Sequence, residues 1–194
     1  MERAVEGAED DGARGGADAA DVTAVDLVFG LSASGRTPYV AGALAAASHR
    51  GAFTAVATCS PASPLRSLAR LAVVADTGPE AIAGSTRLKA TSALKLILNG
   101  FSTALMVRLG KTYSNLMVEV SATNSKLRTR TARILREASG ASEAACEAAL
   151  NEAGGELRLA MVMLLGGVGV SAARGVLAVG DGSVRGALAA LKPP

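Results

Sequence analysis

The stretch that most constrains this chain is Gly30-Leu31-Ser32-Ala33-Ser34-Gly35-Arg36-Thr37-Pro38. Ahead of it runs Val25-Asp26-Leu27-Val28-Phe29, a short apolar run that reads as a buried strand over 25–30. Behind it, Pro38 can open a helix, because the first helical residue needs no N–H partner. The residues from Tyr39 to Arg50 are mostly Ala and favour that helix. A turn joining a strand to a helix points free backbone N–H groups outward, and the helix dipole adds partial positive charge. Ser32, Ser34 and Thr37 add hydroxyls, and Gly35 permits close approach of a ligand to the backbone. The pattern suits a phosphate or another small anion. It lacks the Lys of a nucleotide P-loop and the three glycines of a dinucleotide loop. A Ser-rich turn that caps a helix and binds nothing is the competing reading.

Further strands are expected at Phe53–Thr58 and Leu71–Ala75, with a brief helix at Leu65–Arg70 between them. Strands alternating with helices, in nearly continuous apolar runs, imply a parallel α/β sheet. Three strands are fewer than the usual five or six. A second notable stretch follows, from Thr77 to Lys95. There Gly78-Pro79 marks a turn, and Ser85 or Thr86 can cap a helix carrying Arg87, Lys89 and Lys95. Glu80, two hydroxyls and the bases Arg87 and Lys89 converge over ten residues. A plain loop with a capped helix and a solvated charged face would look the same.

The last third reads as a small helical bundle. Lys126–Ser139 is one helix, ended at Gly140. Ser142 caps a second, Glu143–Ala153, which stops at Gly154-Gly155, and Glu156–Leu165 is a third. Ser171–Leu191 gives one or two more, broken at Gly180 and Gly182. The sequence thus divides into an acidic segment at 1–21, an α/β region at 22–122 and a helical region at 123–194.

Charge is unevenly spread. Residues 1–21 carry seven acids and two bases, whereas residues 22–139 carry fourteen bases and five acids. The positive middle suits an anionic small ligand. Nucleic acid is disfavoured, since no nucleic-acid motif accompanies the charge and aromatics make up only 3% of the chain. The bases from Lys126 to Arg136 read as a solvated helix face. Cys59 and Cys146 lie far apart with no metal or redox spacing, which fits a reduced, cytoplasmic protein. A lone His49 cannot build a multi-histidine metal site, and neither a metal nor a cofactor is expected. Met1 is followed by an acidic, Gly-rich stretch rather than a signal peptide. The longest apolar run, Thr91–Val107, is interrupted by Lys95 and Asn99, so no membrane segment is expected.

Several of these motifs together carry a resemblance. Gly78-Pro79-Glu80 through Gly84-Ser85-Thr86-Arg87-Leu88-Lys89 to Lys95 is similar to the signature shared by N-acetylmuramic acid 6-phosphate etherases and glucokinase regulatory proteins. Ser32-Ala33-Ser34-Gly35-Arg36-Thr37-Pro38-Tyr39-Val40 resembles the etherase version of the sugar-isomerase (SIS) phosphosugar loop. Tyr113-Ser114-Asn115-Leu116-Met117-Val118 and Ala122-Thr123-Asn124 also resemble the etherase. The likeness runs over nearly all of residues 3–191, with motifs in matching order and spacing.

The resemblance implies a partial SIS-type sheet followed by a helical bundle like the ubiquitin-associated (UBA) fold. It also implies a homodimer acting on a phosphorylated amino sugar. The implied reaction cleaves the D-lactyl ether of N-acetylmuramic acid 6-phosphate, giving N-acetylglucosamine 6-phosphate and D-lactate. Glu9, beside Glu6 in the acidic segment, would be the catalytic base. Ser32, Ser34, Gly35 and Thr37 would hold phosphate or sugar hydroxyls. Glu80, Ser85, Arg87 and Lys89 would line or brace the site. Family members begin far upstream of this chain, and that upstream part carries the first sugar-phosphate loop and a catalytic glutamate acting as acid. The 194 residues alone are therefore expected not to complete the reaction. The other reading is a phosphosugar-binding regulator of the glucokinase regulatory type, without turnover.

Overall fold

Strand β1, Leu27–Ser32, runs straight into the serine turn. It starts two residues later than the apolar pattern suggests. The Asp26 carboxylate accepts hydrogen bonds from the Thr23 N–H and hydroxyl at 2.8 and 2.7 Å, closing a turn that leaves Val25 93% exposed. The computed structural model describes residues 7–120, 125–179 and 182–191; Glu6, Ala122-Thr123-Asn124 and Gly180 lie outside the described residues. Two compact units are present, Met1–Phe101 and Ser102–Pro194.

In the first unit β1 pairs in parallel with β2, Phe53–Thr58, and β2 with β3, Leu71–Val74. The order is β1-β2-β3. The register sets Ser32 beside Thr58 and Thr58 beside Val74, so all three strands end at one level. The central strand β2 is buried from Thr54 to Thr58, as a parallel sheet requires. Between β2 and β3 the expected helix is a shorter 3-10 turn, Pro64–Leu68. Helix α2, Pro38–His49, packs Leu44 against Val56 and Leu65 to form the buried centre of this unit.

Helix α1, Gly12–Asp18, is short, capped by the Asp11 carboxylate on the Arg14 N–H, and packed on α2. The two backbones touch. A Cβ on Gly15 would lie 2.0 Å from the Tyr39 carbonyl oxygen, and one on Gly42 would lie 1.9 Å from that of Gly12. Glycine at these positions is what lets the helices meet at all.

Helix α3, Lys89–Arg108, begins later than expected, so Arg87 precedes it and neither Ser85 nor Thr86 is its cap. It is long and apolar enough to cross a membrane by length and composition alone, and Ala90 is its only buried residue. Phe101 meets Phe29 of β1 edge to face, with centroids 5.0 Å apart.

In the second unit the end of α3 is followed by a hairpin, β4 Thr112–Tyr113 and β5 Leu116–Met117, turning at Ser114 with φ 53°. The sequence reading did not anticipate it, because two-residue strands are too short to show alternation. Helices α4 Ser125–Ser139, α5 Glu143–Glu152 and α6 Leu157–Gly166 follow the expected order. Gly140 takes φ 68° and ends α4, and the Ser142 hydroxyl accepts the Ala145 N–H at 3.2 Å to start α5. Two more helices close the unit, α7 Val170–Val179 and α8 Val184–Ala190. Helix α6 is apolar apart from Arg158 and is packed by α4, α5, α7 and α8. Leu157, Leu159, Met161 and Val162 are fully buried there.

Candidate functional site

The serine turn follows from one buried hydroxyl. Ser32, 4% exposed, accepts the Gly35 N–H at 3.0 Å and shares a 2.8 Å hydrogen bond with the Thr37 hydroxyl. These bonds fold the chain back just before Pro38. Gly35 sits at φ 70°, and a Cβ there would come within 2.3 Å of the Ser63 Cβ. Ser63 is buried; it donates to the Gly35 carbonyl at 2.8 Å and accepts the Leu65 N–H at 3.2 Å. Ser32, Gly35 and Thr37 thus build the turn from within. Ser34 points the other way, exposed, with its hydroxyl loosely accepting the Arg36 N–H at 3.4 Å.

Opposite Ser34 lies the 77–90 loop. The Glu80 carboxylate takes the place that Ser85 and Thr86 were expected to fill. Its two oxygens accept the N–H groups of Lys89 and Ala90 at 3.0 and 3.1 Å, capping α3 from nine residues upstream. Those two bonds hold Glu80 below the ordinary carboxylate pKa. Ser85 accepts the Arg87 N–H at 3.2 Å and helps shape the loop.

Between turn and loop is a cavity of about 370 Å³. Ser34, Cys59, Ser60, Glu80, Ser85 and Thr86 are among its walls. The structure therefore brings Ser34, Glu80 and Ser85 together, two stretches far apart in sequence. Ser32, Gly35 and Thr37 stand behind the wall, and Arg87 and Lys89 are exposed outside it. Glu9 also lies outside the cavity, exposed in a 3-10 turn, Ala8–Asp10, that rests on α2. Among the described residues Glu80 is the only charged group in the lining, so an anion here would meet hydroxyls and backbone N–H groups rather than a side-chain cation.

No family model matches the chain. Curated proteins do. The chain is 52% identical over 188 residues to an N-acetylmuramic acid 6-phosphate etherase from Serratia proteamaculans, covering 96% of this chain and 63% of that protein. It is 59% identical over 162 residues to one from Thermobifida fusca, covering 84% of this chain and 53% of that protein. Over nearly all of its own length the chain is thus similar to N-acetylmuramic acid 6-phosphate etherases. It spans between half and two thirds of the length of these relatives.

Two residues of this turn-and-loop region were not picked out from sequence. Ser63 had a signal, since Ser before Pro64 marks a capped turn, but its bond to Gly35 bridges distant residues. Cys59 follows β2 directly, and its thiol donates to the Ala90 carbonyl at 3.3 Å. Burial pushes that thiol's pKa up, so it stays protonated and able to donate. A larger cleft, about 980 Å³, lies in the second unit, with Arg128, Arg133, Arg136, Glu143 and Glu147 among its walls. It mixes both signs of charge and contains none of the predicted site residues, so size alone is a poor guide here.

Proposed function

We propose that this chain supplies one wall of the phosphosugar site of an etherase. The reaction cleaves the D-lactyl ether of N-acetylmuramic acid 6-phosphate. In the open-chain sugar the C1 aldehyde acidifies the C2 proton. A base removes that proton, an acid protonates the departing lactate oxygen, and water adds to the unsaturated aldehyde to give N-acetylglucosamine 6-phosphate. Ser34 is the direct hydroxyl contact, supported by Ser85 and by backbone N–H groups. Ser32, Gly35 and Thr37 hold the turn that presents Ser34. Arg87 and Lys89 add positive potential from outside. Glu9 is the base, carried by the acidic segment beside the start of α2. The α/β region is SIS-type and the helical region UBA-like, and the whole enzyme works as a cytoplasmic homodimer. The observation that carries this reading is the joining of Ser34, Glu80 and Ser85 in one cavity.

One observation favours the second reading, a phosphosugar-binding chain without turnover. The carboxylate in the cavity has both oxygens engaged by backbone N–H groups, and Glu9 lies outside the cavity. Release of D-lactate from N-acetylmuramic acid 6-phosphate separates the two. The chain is assayed alone and with the preceding part of a relative supplied as a second chain. Turnover in the mixture supports the etherase. Tight binding of the sugar phosphate without lactate in either case supports the binder.

A further inference from the structure

Ala90 is held from both sides of its peptide frame. Its N–H donates to Glu80 Oε1 at 3.1 Å, and its carbonyl accepts the Cys59 thiol at 3.3 Å. Its side chain is 4% exposed and lines the cavity. The two groups reach it from different directions in the chain. Cys59 stands at the end of β2, bound through its own N–H to the Ala33 carbonyl of the serine turn at 3.2 Å. Glu80 comes from the loop on the far wall. Turn, strand end, loop and first helical turn of α3 are thereby linked through one residue.

We propose that Cys59 and Glu80 are positioning residues for this site, a clamp on Ala90 that sets the distance between Ser34 and the loop carrying Ser85. This rests on the phosphosugar reading of the cavity. Neither residue needs to touch the sugar. Both Glu80 oxygens are engaged by N–H groups, and the Cys59 thiol is spent on a carbonyl. Without the clamp the first turn of α3 drifts, and the cavity loses its width before it loses any ligand-contacting group. A sugar phosphate that spans from Ser34 to Ser85 then pays for reassembling the gap when it binds.

The test is hydrogen exchange of the 194-residue chain followed by mass spectrometry over residues 86–94, with N-acetylglucosamine 6-phosphate titrated as the probe. Glu80→Gln and Cys59→Ala each speed exchange at 89–91 and weaken the probe midpoint, about tenfold for Glu80→Gln and about threefold for Cys59→Ala. Cys59→Ser keeps a donor on the same carbon and stays near wild type in both readouts. Unchanged exchange in both variants overturns the clamp. Faster exchange with an unmoved midpoint overturns its positioning role. A Cys59→Ser variant as impaired as Cys59→Ala overturns the thiol's part as donor. If wild type shows no midpoint, the phosphosugar reading fails and the positioning role falls with it, while the exchange data still decide whether the clamp exists.

Discussion

Ser34 is the one serine of the turn that lines the cavity, so the roles within Ser32-Ala33-Ser34-Gly35 separate cleanly. Ser34→Ala should weaken binding of a sugar 6-phosphate by an amount on the order of 1.5–3 kcal/mol, the worth of a hydrogen bond to a charged group, with little change in melting temperature. Calorimetry paired with thermal denaturation checks both. Gly35→Ala should act in the opposite way, costing about 2–5 kcal/mol of stability, because it forces φ 70° on a side chain and pushes a Cβ against Ser63. Glu80 gives a pH signature. Its folded pKa lies below the unfolded one, so its bonds stabilise α3 fully above the unfolded value and are lost as pH falls through the folded value. Exchange at Lys89 and Ala90, corrected for intrinsic rates, should stay flat down to the ordinary carboxylate range and rise below it; Glu80→Gln should abolish that rise. These assignments were only half legible in the sequence. Residue type shows that a hydroxyl can bind an anion, but which of Ser32, Ser34 and Thr37 faces outward depends on the bond between the first and the third.

Elements were more legible than residues where local chemistry decides them. Gly140, Ser142 and the Gly154-Gly155 pair mark helix ends by backbone freedom and capping, and the structure stops and starts α4, α5 and α6 there within a residue or two. The start of α3 was illegible for the converse reason. Its cap, Glu80, comes from nine residues upstream, a distance no capping pattern spans. Helix α6 is the central element of the second unit. Leu159→Ala should cost about 2–5 kcal/mol in chemical denaturation, since the side chain is 1% exposed and the surrounding helices cannot all collapse onto the space. The same change should leave sugar-phosphate affinity intact. Leu150 and Leu164, packed against this core, are only partly buried and should cost less.

At the scale of the whole chain, the proposed reaction needs a general acid, which the resemblance expects in the stretch of the relatives that these residues do not span. Supplied alone, the 194 residues should release D-lactate at least about 10²-fold more slowly than when mixed with the preceding part of a relative, the usual loss for a missing general acid. Equal rates would mean that a carboxylate within this sequence serves as the acid. The glycine seam between α1 and α2 has its own consequence for how the two units tolerate change. One unit has, beside its Leu44 core, a seam where backbone meets backbone at Gly12, Gly15 and Gly42; the other is held where Leu157, Leu159 and Met161 fill a helical interior. In a saturation mutagenesis map the two should carry opposite signatures. Along the seam, adding a single methyl should be as damaging as adding a ring, and hydrophobicity should not matter. In the bundle, losing carbon should be what hurts, and Leu-to-Met exchange should pass almost unnoticed.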